Sequence, residues 1–277
     1  MRELLFGIIS LGTCSLASVA SAQLHFEGKD GVGKGQKIVF LSGDEEYRSE
    51  ETNPMLAKIL SQRFGYDCTV LFSMDSSGQY VDPNNQKSLV GLSELDDADL
   101  MIIGTRFRRL DDESYAEIAE FLDAGKPVIG FRTATHAFRG DGQTGDFQWK
   151  NFGVNILGEG WVNHHGKHKD EGTRGVINEA NAQHVVLNGV KDIFGPSDVY
   201  GVRKVNKDNA TILLNGEVTK TLQFDSPAVN GKKNEPMMPL RGCVNTRRPM
   251  GPLLALHFAQ QWALLLILRA RTCVAWL

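Results

Sequence analysis

Four short apolar runs constrain this chain more than any other feature. They are Lys37 to Leu41 (KIVFL), Cys68 to Phe72, Leu100 to Gly104 (LMIIG) and Val128 to Phe131. None alternates apolar with polar residues as a half-exposed strand does, so each predicts a strand buried on both faces, as parallel sheets require. Helical patterns lie between them. Thr52 or Asn53 ahead of Pro54 gives a start, Met55, Leu56, Ile59, Leu60 and Phe64 follow along one face, and Gly65 stops the run. Asp111 caps a second helix carrying Tyr115, Ile118, Phe121 and Leu122, ended by Gly125.

Strand and helix in alternation predict an α/β fold with a doubly wound, mainly parallel sheet of flavodoxin-like type. Further on the pattern loosens. Thr173 to Ile177, His184 to Leu187, Asp198 to Val205 and Ala210 to Asn215 predict extra antiparallel or edge strands. Ser73 to Ser88 predicts a surface loop. No internal repeat or linker marks a second domain, and 37–239 is expected to form one unit.

The two ends differ from this body. Residues 1–22 carry Arg2, an apolar run from Leu4 to Leu16 and then Ala20-Ser21-Ala22, the three-part pattern of a secretory signal. The expectation is export to a periplasmic or extracellular location, with 23–36 as an irregular leader. Loss of the signal removes Cys14 and leaves Cys68, Cys243 and Cys273. An odd count offers no disulfide framework, and Cys68 is expected as a buried free thiol. Formal net charge is −3 with no basic stripe, which argues against nucleic acid as a partner.

From Leu240 the composition turns abruptly to Leu, Ala, Arg and Trp. Taken literally, Pro252 to Leu268 is an apolar helix that would tether the chain to a membrane, but His257, Gln260 and Gln261 are costly there. A slipped reading frame explains the change better. Shifting by two bases lets Leu240 to Gly251 encode AWVREYTAAHG, Phe258 to Ala263 encode RTTMG, and Leu266 to Leu277 encode DFTSEDLRRLV. These are ordinary parts for the last strand and helix of an α/β domain, so 240–277 is expected to be a frame-shifted tail in their place.

In open α/β sheets, ligands sit beyond the carboxyl ends of the strands. The first candidates are therefore Ser42, Gly43 and Asp44 after the first strand, Arg106 after the third, and Arg132, Thr133 and His136 after the fourth. His136 titrates near neutrality and is the candidate general acid or base, with ordering of its own loop as the alternative role. The forked donors of Arg132 and Arg106 suit a carboxylate, a phosphate or sugar hydroxyls, although either could instead staple loops by pairing with Asp44 or Glu45. Trp161 could stack on a sugar ring or belong to the core. His164, His165 and His168 hint at a metal, but sequence neighbours rarely ligate one ion unless a loop folds around it. His164 and His165 are placed with the substrate-binding residues, and no metal or other cofactor is assigned.

With KIVFLSG at 37–43, LMIIGTRF at 100–107, GFRTATHAF at 130–138, FGVNILGEGWVNHHG at 152–166 and DVYGV at 198–202, the chain resembles the ThuA-like (trehalose utilisation) family. That family's fold is similar to class I glutamine amidotransferases, and the shifted tail is similar to its TTMG ending. The resemblance implies sugar catabolism, with a small-molecule carbohydrate as ligand and homo-oligomerisation left open. Amidotransferases carry a nucleophilic Cys in a Gly-x-Cys-x-Gly elbow at this place. Here Gly130-Phe131 is followed by Arg132, with Ala134 in place of the second Gly. A permanently protonated guanidinium is no acyl acceptor, so glutamine hydrolysis is not expected. Two functions are carried forward: a sugar-processing enzyme working through His136, or a non-catalytic sugar-binding or partner-docking module.

Overall fold

The computed structural model describes residues 23–202, 210–248 and 251–258. The apolar runs form strands where the pattern puts them. β2 (Lys37–Gly43), β3 (Asp67–Phe72), β4 (Leu100–Thr105) and β5 (Val128–Phe131) pair in parallel in the spatial order β3-β2-β4-β5. Alternate side chains feed two separate cores. Ile38, Phe40, Val70 and Ile102 pack with Leu56 and Leu60, while Val39, Leu41, Met101 and Ile103 pack with Ile118 and Leu122. The sheet is thus covered by helix α1 (Ser49–Ile59) on one face and α2 (Asp112–Asp123) on the other.

Local chemistry explains the helix ends. Asp111 caps α2, its carboxylate accepting from the Ser114 N–H at 2.9 Å. α1 begins a turn before the expected Thr52 or Asn53, so Pro54 lies inside it. The early start is held by Ser49, whose hydroxyl oxygen accepts from the Gly43 N–H at 3.0 Å, and by Asn53, which donates to the Leu41 carbonyl at 3.3 Å. A widened turn (Leu60–Phe64) leads to Gly65 at φ 82°, where a Cβ would collide with the Lys29 carbonyl.

Two expectations are overturned. The supposed leader opens with strand β1 (Gln23–Phe26), antiparallel to β3. Its QLHF run alternates polar and apolar residues over four positions only, too few to announce a strand, and it covers β3, which would otherwise be the sheet's edge. Val185–Leu187, expected as a strand, is a 3-10 turn, with the His184 imidazole accepting from the Val186 N–H at 3.3 Å.

After β5 come a 3-10 turn (Arg132–His136), the short pair β6 (Gln143–Thr144) and β7 (Phe147–Gln148), and helix α3 (Phe152–Asn155). Trp149 is fully buried here, stacked on Tyr115 with centroids 4.7 Å apart and edge-on to Phe138 at 5.2 Å, so the loop beyond β5 rests on a rigid aromatic floor. β8 (Trp161–His164) later pairs with β11 (Tyr200–Val202). β9 (Gly172–Ile177), β10 (Phe194–Gly195), β12 (Ala210–Thr219) and β13 (Met238–Arg248) extend the main sheet antiparallel, making it a mixed sheet of ten strands.

Within the proposed frame-shifted segment, β14 (Gly251–Phe258) lies between β13 and β5, parallel to β5 with Leu256 opposite Ile129. The start of the apolar stretch weighed as a membrane anchor is therefore strand, and its remainder lies outside the described residues, as does the signal segment 1–22. Among the described residues no helix is long and apolar enough to cross a membrane. Cys68 is wholly buried and not in a disulfide, and burial, with a smaller contribution from Asp67, pushes its thiol up to about 12.

Candidate functional site

The carboxyl ends of β2, β4 and β5 bring three loops together, and the β8–β11 pair closes over them. At the centre Arg132 follows β5 with φ 51°, a left-handed conformation that costs a non-glycine residue about 1–2 kcal/mol. The junction between β5 and the turn that follows it is thus sharp, and an arginine occupies it. Its guanidinium is engaged inward: Nη1 donates to the Asp198 carbonyl at 2.6 Å, and Nη2 donates to Asp198 Oδ1 at 3.2 Å and the Tyr47 hydroxyl at 2.7 Å. The Tyr47 and Tyr200 rings lie 4.5 and 3.8 Å from its Cζ. Only 2% of Arg132 is exposed, so it braces the site from within.

Asp44 is equally sealed. It accepts from the backbone N–H groups of Glu46 and Tyr47 at 2.9 and 3.1 Å and from the Thr133 hydroxyl, tying the β2 loop to the β5 turn. Burial raises its carboxyl above the ordinary range against these hydrogen bonds. Ser42 donates to Ser49 at 3.1 Å and, like Gly43 and Thr133, is buried. Ser42, Gly43, Asp44 and Thr133, all candidates read from the sequence, are thus buried and hydrogen-bonded within the chain.

The half-exposed layer is a different set. Arg106 is held by Glu45 and by Glu46 at 3.1 Å, with its Cζ 4.6 Å from the Phe107 ring, so it takes the loop-stapling role. Arg108, fully buried, joins the same network through Glu45 at 2.9 Å and reaches back to the carbonyls of Pro83 and Asn85 at 3.0 Å. His136 sits among three aromatic rings, with centroids 4.9 Å from Phe107, 5.0 Å from Trp161 and 5.9 Å from Tyr200. Its Nδ1 is 3.2 Å from the Thr135 hydroxyl. Phe107 also has a positive φ of 54°, so two strained residues flank this patch. The Trp161 indole N–H is buried and finds no acceptor among the described residues.

The histidine loop is split by its folding. His165 turns away, its Nε2 2.6 Å from the Lys233 carbonyl. His164 and His168 converge on one carboxylate: His164 Nδ1 is 2.8 Å from Asp198 Oδ2 and His168 Nδ1 is 2.8 Å from Asp198 Oδ1. Asp198 is fully buried. Burial alone would raise its carboxyl, but the hydrogen bond from His168, the Arg132 charge and the hydrogen bond from His164 outweigh it and hold it below the ordinary carboxylate range. Ionised, it only accepts, so both Nδ1 atoms carry the donated protons. Each of the three residues offers an atom within 4.8 Å of the others, a grouping able to hold a metal ion.

Asp198, Tyr47, Tyr200 and Phe107 escaped the candidate residues read from the sequence. Asp198 and Tyr200 fall within DVYGV, a strand-like pattern, and nothing local shows that the carboxylate meets an arginine 66 residues away. Phe107 and Tyr47 sit in loops, where an aromatic has no periodicity to mark it.

Together these features define an α/β protein with a site rich in imidazole and aromatic rings at the carboxyl ends of its parallel strands. Its fold is ThuA-like. A solved structure described as a thua-like protein, from Bacteroides uniformis ATCC 8492, superposes with a TM-score of 0.50 at 13% identity, covering 88% of this chain and 93% of that one. Another so described, from Parabacteroides merdae ATCC 43184, gives 0.48 at 16% identity over 80% of this chain and 78% of that one. At such identities the likeness is one of fold. No protein-family model matches the chain, and no curated protein does.

Proposed function

We propose that this is an exported ThuA-like protein that binds a carbohydrate, a disaccharide or oxidised sugar, on the half-exposed layer and processes it by acid/base chemistry at His136. The observation that carries this reading is His136 itself: an imidazole, partly open to solvent, held among Phe107, Trp161 and Tyr200. Aromatic faces suit the C–H side of a sugar ring, and an imidazole beside them can take or give a hydroxyl proton near neutral pH. A ligand oxygen would also satisfy the Trp161 N–H, which otherwise costs about 1–3 kcal/mol as a buried donor without a partner. Export rests on the signal pattern of residues 1–22. The sheet is taken as the doubly wound, flavodoxin-like arrangement of class I glutamine amidotransferases, without their glutaminase chemistry, since Arg132 stands in the elbow.

A non-catalytic sugar-binding module is favoured by one observation: Arg132 and Asp44 are buried and hydrogen-bonded to partners within the protein. His136→Ala separates the two. In a screen against disaccharides and their keto forms, the enzyme reading expects turnover to fall roughly 10²- to 10⁴-fold with binding changed much less. Binding of a sugar without turnover in the parent chain, or an equal loss of both in the variant, would establish the module.

A further inference from the structure

We propose that His164, His168 and Asp198 bind a divalent first-row transition metal ion, with zinc as the reference ion. Two imidazoles and a carboxylate form a donor set used by catalytic zinc and by non-haem iron sites, and imidazole suits both ions. The two histidines stand four residues apart, within the spacing common for paired zinc ligands. The loop folds so that both Nδ1 atoms face one carboxylate at 2.8 Å, with ring centroids 4.5 Å apart. This convergence overcomes the objection that neighbours in sequence seldom share an ion. His165, the residue between them that could not join, is removed to Lys233.

The surroundings fit as well. His168 Nε2 lies 3.7 Å from Glu46 Oε1, so when Nδ1 ligates, the proton moves to Nε2 and faces a carboxylate. A small approach of Glu46 would complete the carboxylate–histidine–metal arrangement that orients ligating imidazoles. Arg132 bonds Asp198 through Oδ1 and the main-chain oxygen, which leaves lone pairs on both carboxylate oxygens. The His164 and His168 side chains are 32% and 30% exposed, so an ion can enter and retain an open coordination position.

This site does not depend on the carbohydrate reading, and its test measures metal alone. Full-length protein stripped with a chelator is titrated with Co²⁺ and followed by its visible d–d absorption, then challenged with Zn²⁺. One equivalent of Co²⁺ should bind and be displaced by Zn²⁺. His164→Gln and His168→Gln, both half-exposed positions, should weaken binding at least ~10-fold, Glu46→Gln by ~10-fold, and His25→Gln not at all. Circular dichroism of each variant establishes that it is folded. No d–d spectrum with the parent chain, or folded His164→Gln and His168→Gln chains that bind Co²⁺ as it does, would overturn the proposal.

Discussion

Arg132 is the residue on which the architecture of the site can be tested most directly. Arg132→Ala removes two donors to Asp198 and one to Tyr47, leaving a carboxylate with no solvent exposure short of its guanidinium. Breaking one side of a buried ion pair typically costs about 3–5 kcal/mol. Asp198 keeps its hydrogen bonds from His164 and His168, which places this case at the low end, about 3 kcal/mol. The backbone supplies an internal control. At φ 51° alanine bears the left-handed penalty that glycine escapes, so Arg132→Gly should be more stable than Arg132→Ala by about 1 kcal/mol although it removes the same contacts. Urea unfolding is the assay. With a slope near 3 kcal/mol/M, as expected for a chain of this size, Arg132→Ala should lower the midpoint by about 1 M. An alanine variant within ~1 kcal/mol of the parent would refute the buried-brace account. A glycine variant no more stable than alanine would refute the strained elbow.

Two further outcomes follow from parts outside the site. Asp111→Ala should cost about 0.5–2 kcal/mol by removing the cap of α2, measured by the same unfolding curves. The Ser114 hydrogen bonds hold the Asp111 carboxyl below its usual value, so its contribution is present above the unfolded value and is lost as pH falls towards the folded one; the difference between the two chains should shrink in acid and persist at neutral pH. The tail offers the second test. If the coding DNA carries a slip ahead of Leu240, its sequence will show one intact frame reading AWVREYTAAHG, and the frame-restored chain will be the more soluble. An intact frame with no such alternative ends that idea.

The parallel half of the fold was legible because burial on both faces leaves a signature in sequence. KIVFL, LMIIG and VIGF have no polar alternation to blur them, and Gly65 and Gly125 close the helices where left-handed φ values of 82° and 73° require it. β1 was not legible, because a four-residue edge strand is chosen by the partner it covers and not by its own pattern. The site divides in the same way. The strand-end rule gathers the candidate residues at one end of the sheet but does not tell which of them are withdrawn into the protein. That depends on partners distant in sequence: Thr133 meets Asp44 across 89 residues and Arg132 meets Asp198 across 66, and each pairing withdraws its members into the frame. His136, His164 and His168 stay half-exposed beside Trp161, whose buried indole N–H finds no acceptor among the described residues. Most buried polar groups find a partner where they lie, whereas a group at the rim can turn to solvent or to a ligand. The chemistry of this site is therefore best sought in its half-exposed imidazoles rather than in the buried arginine that follows β5.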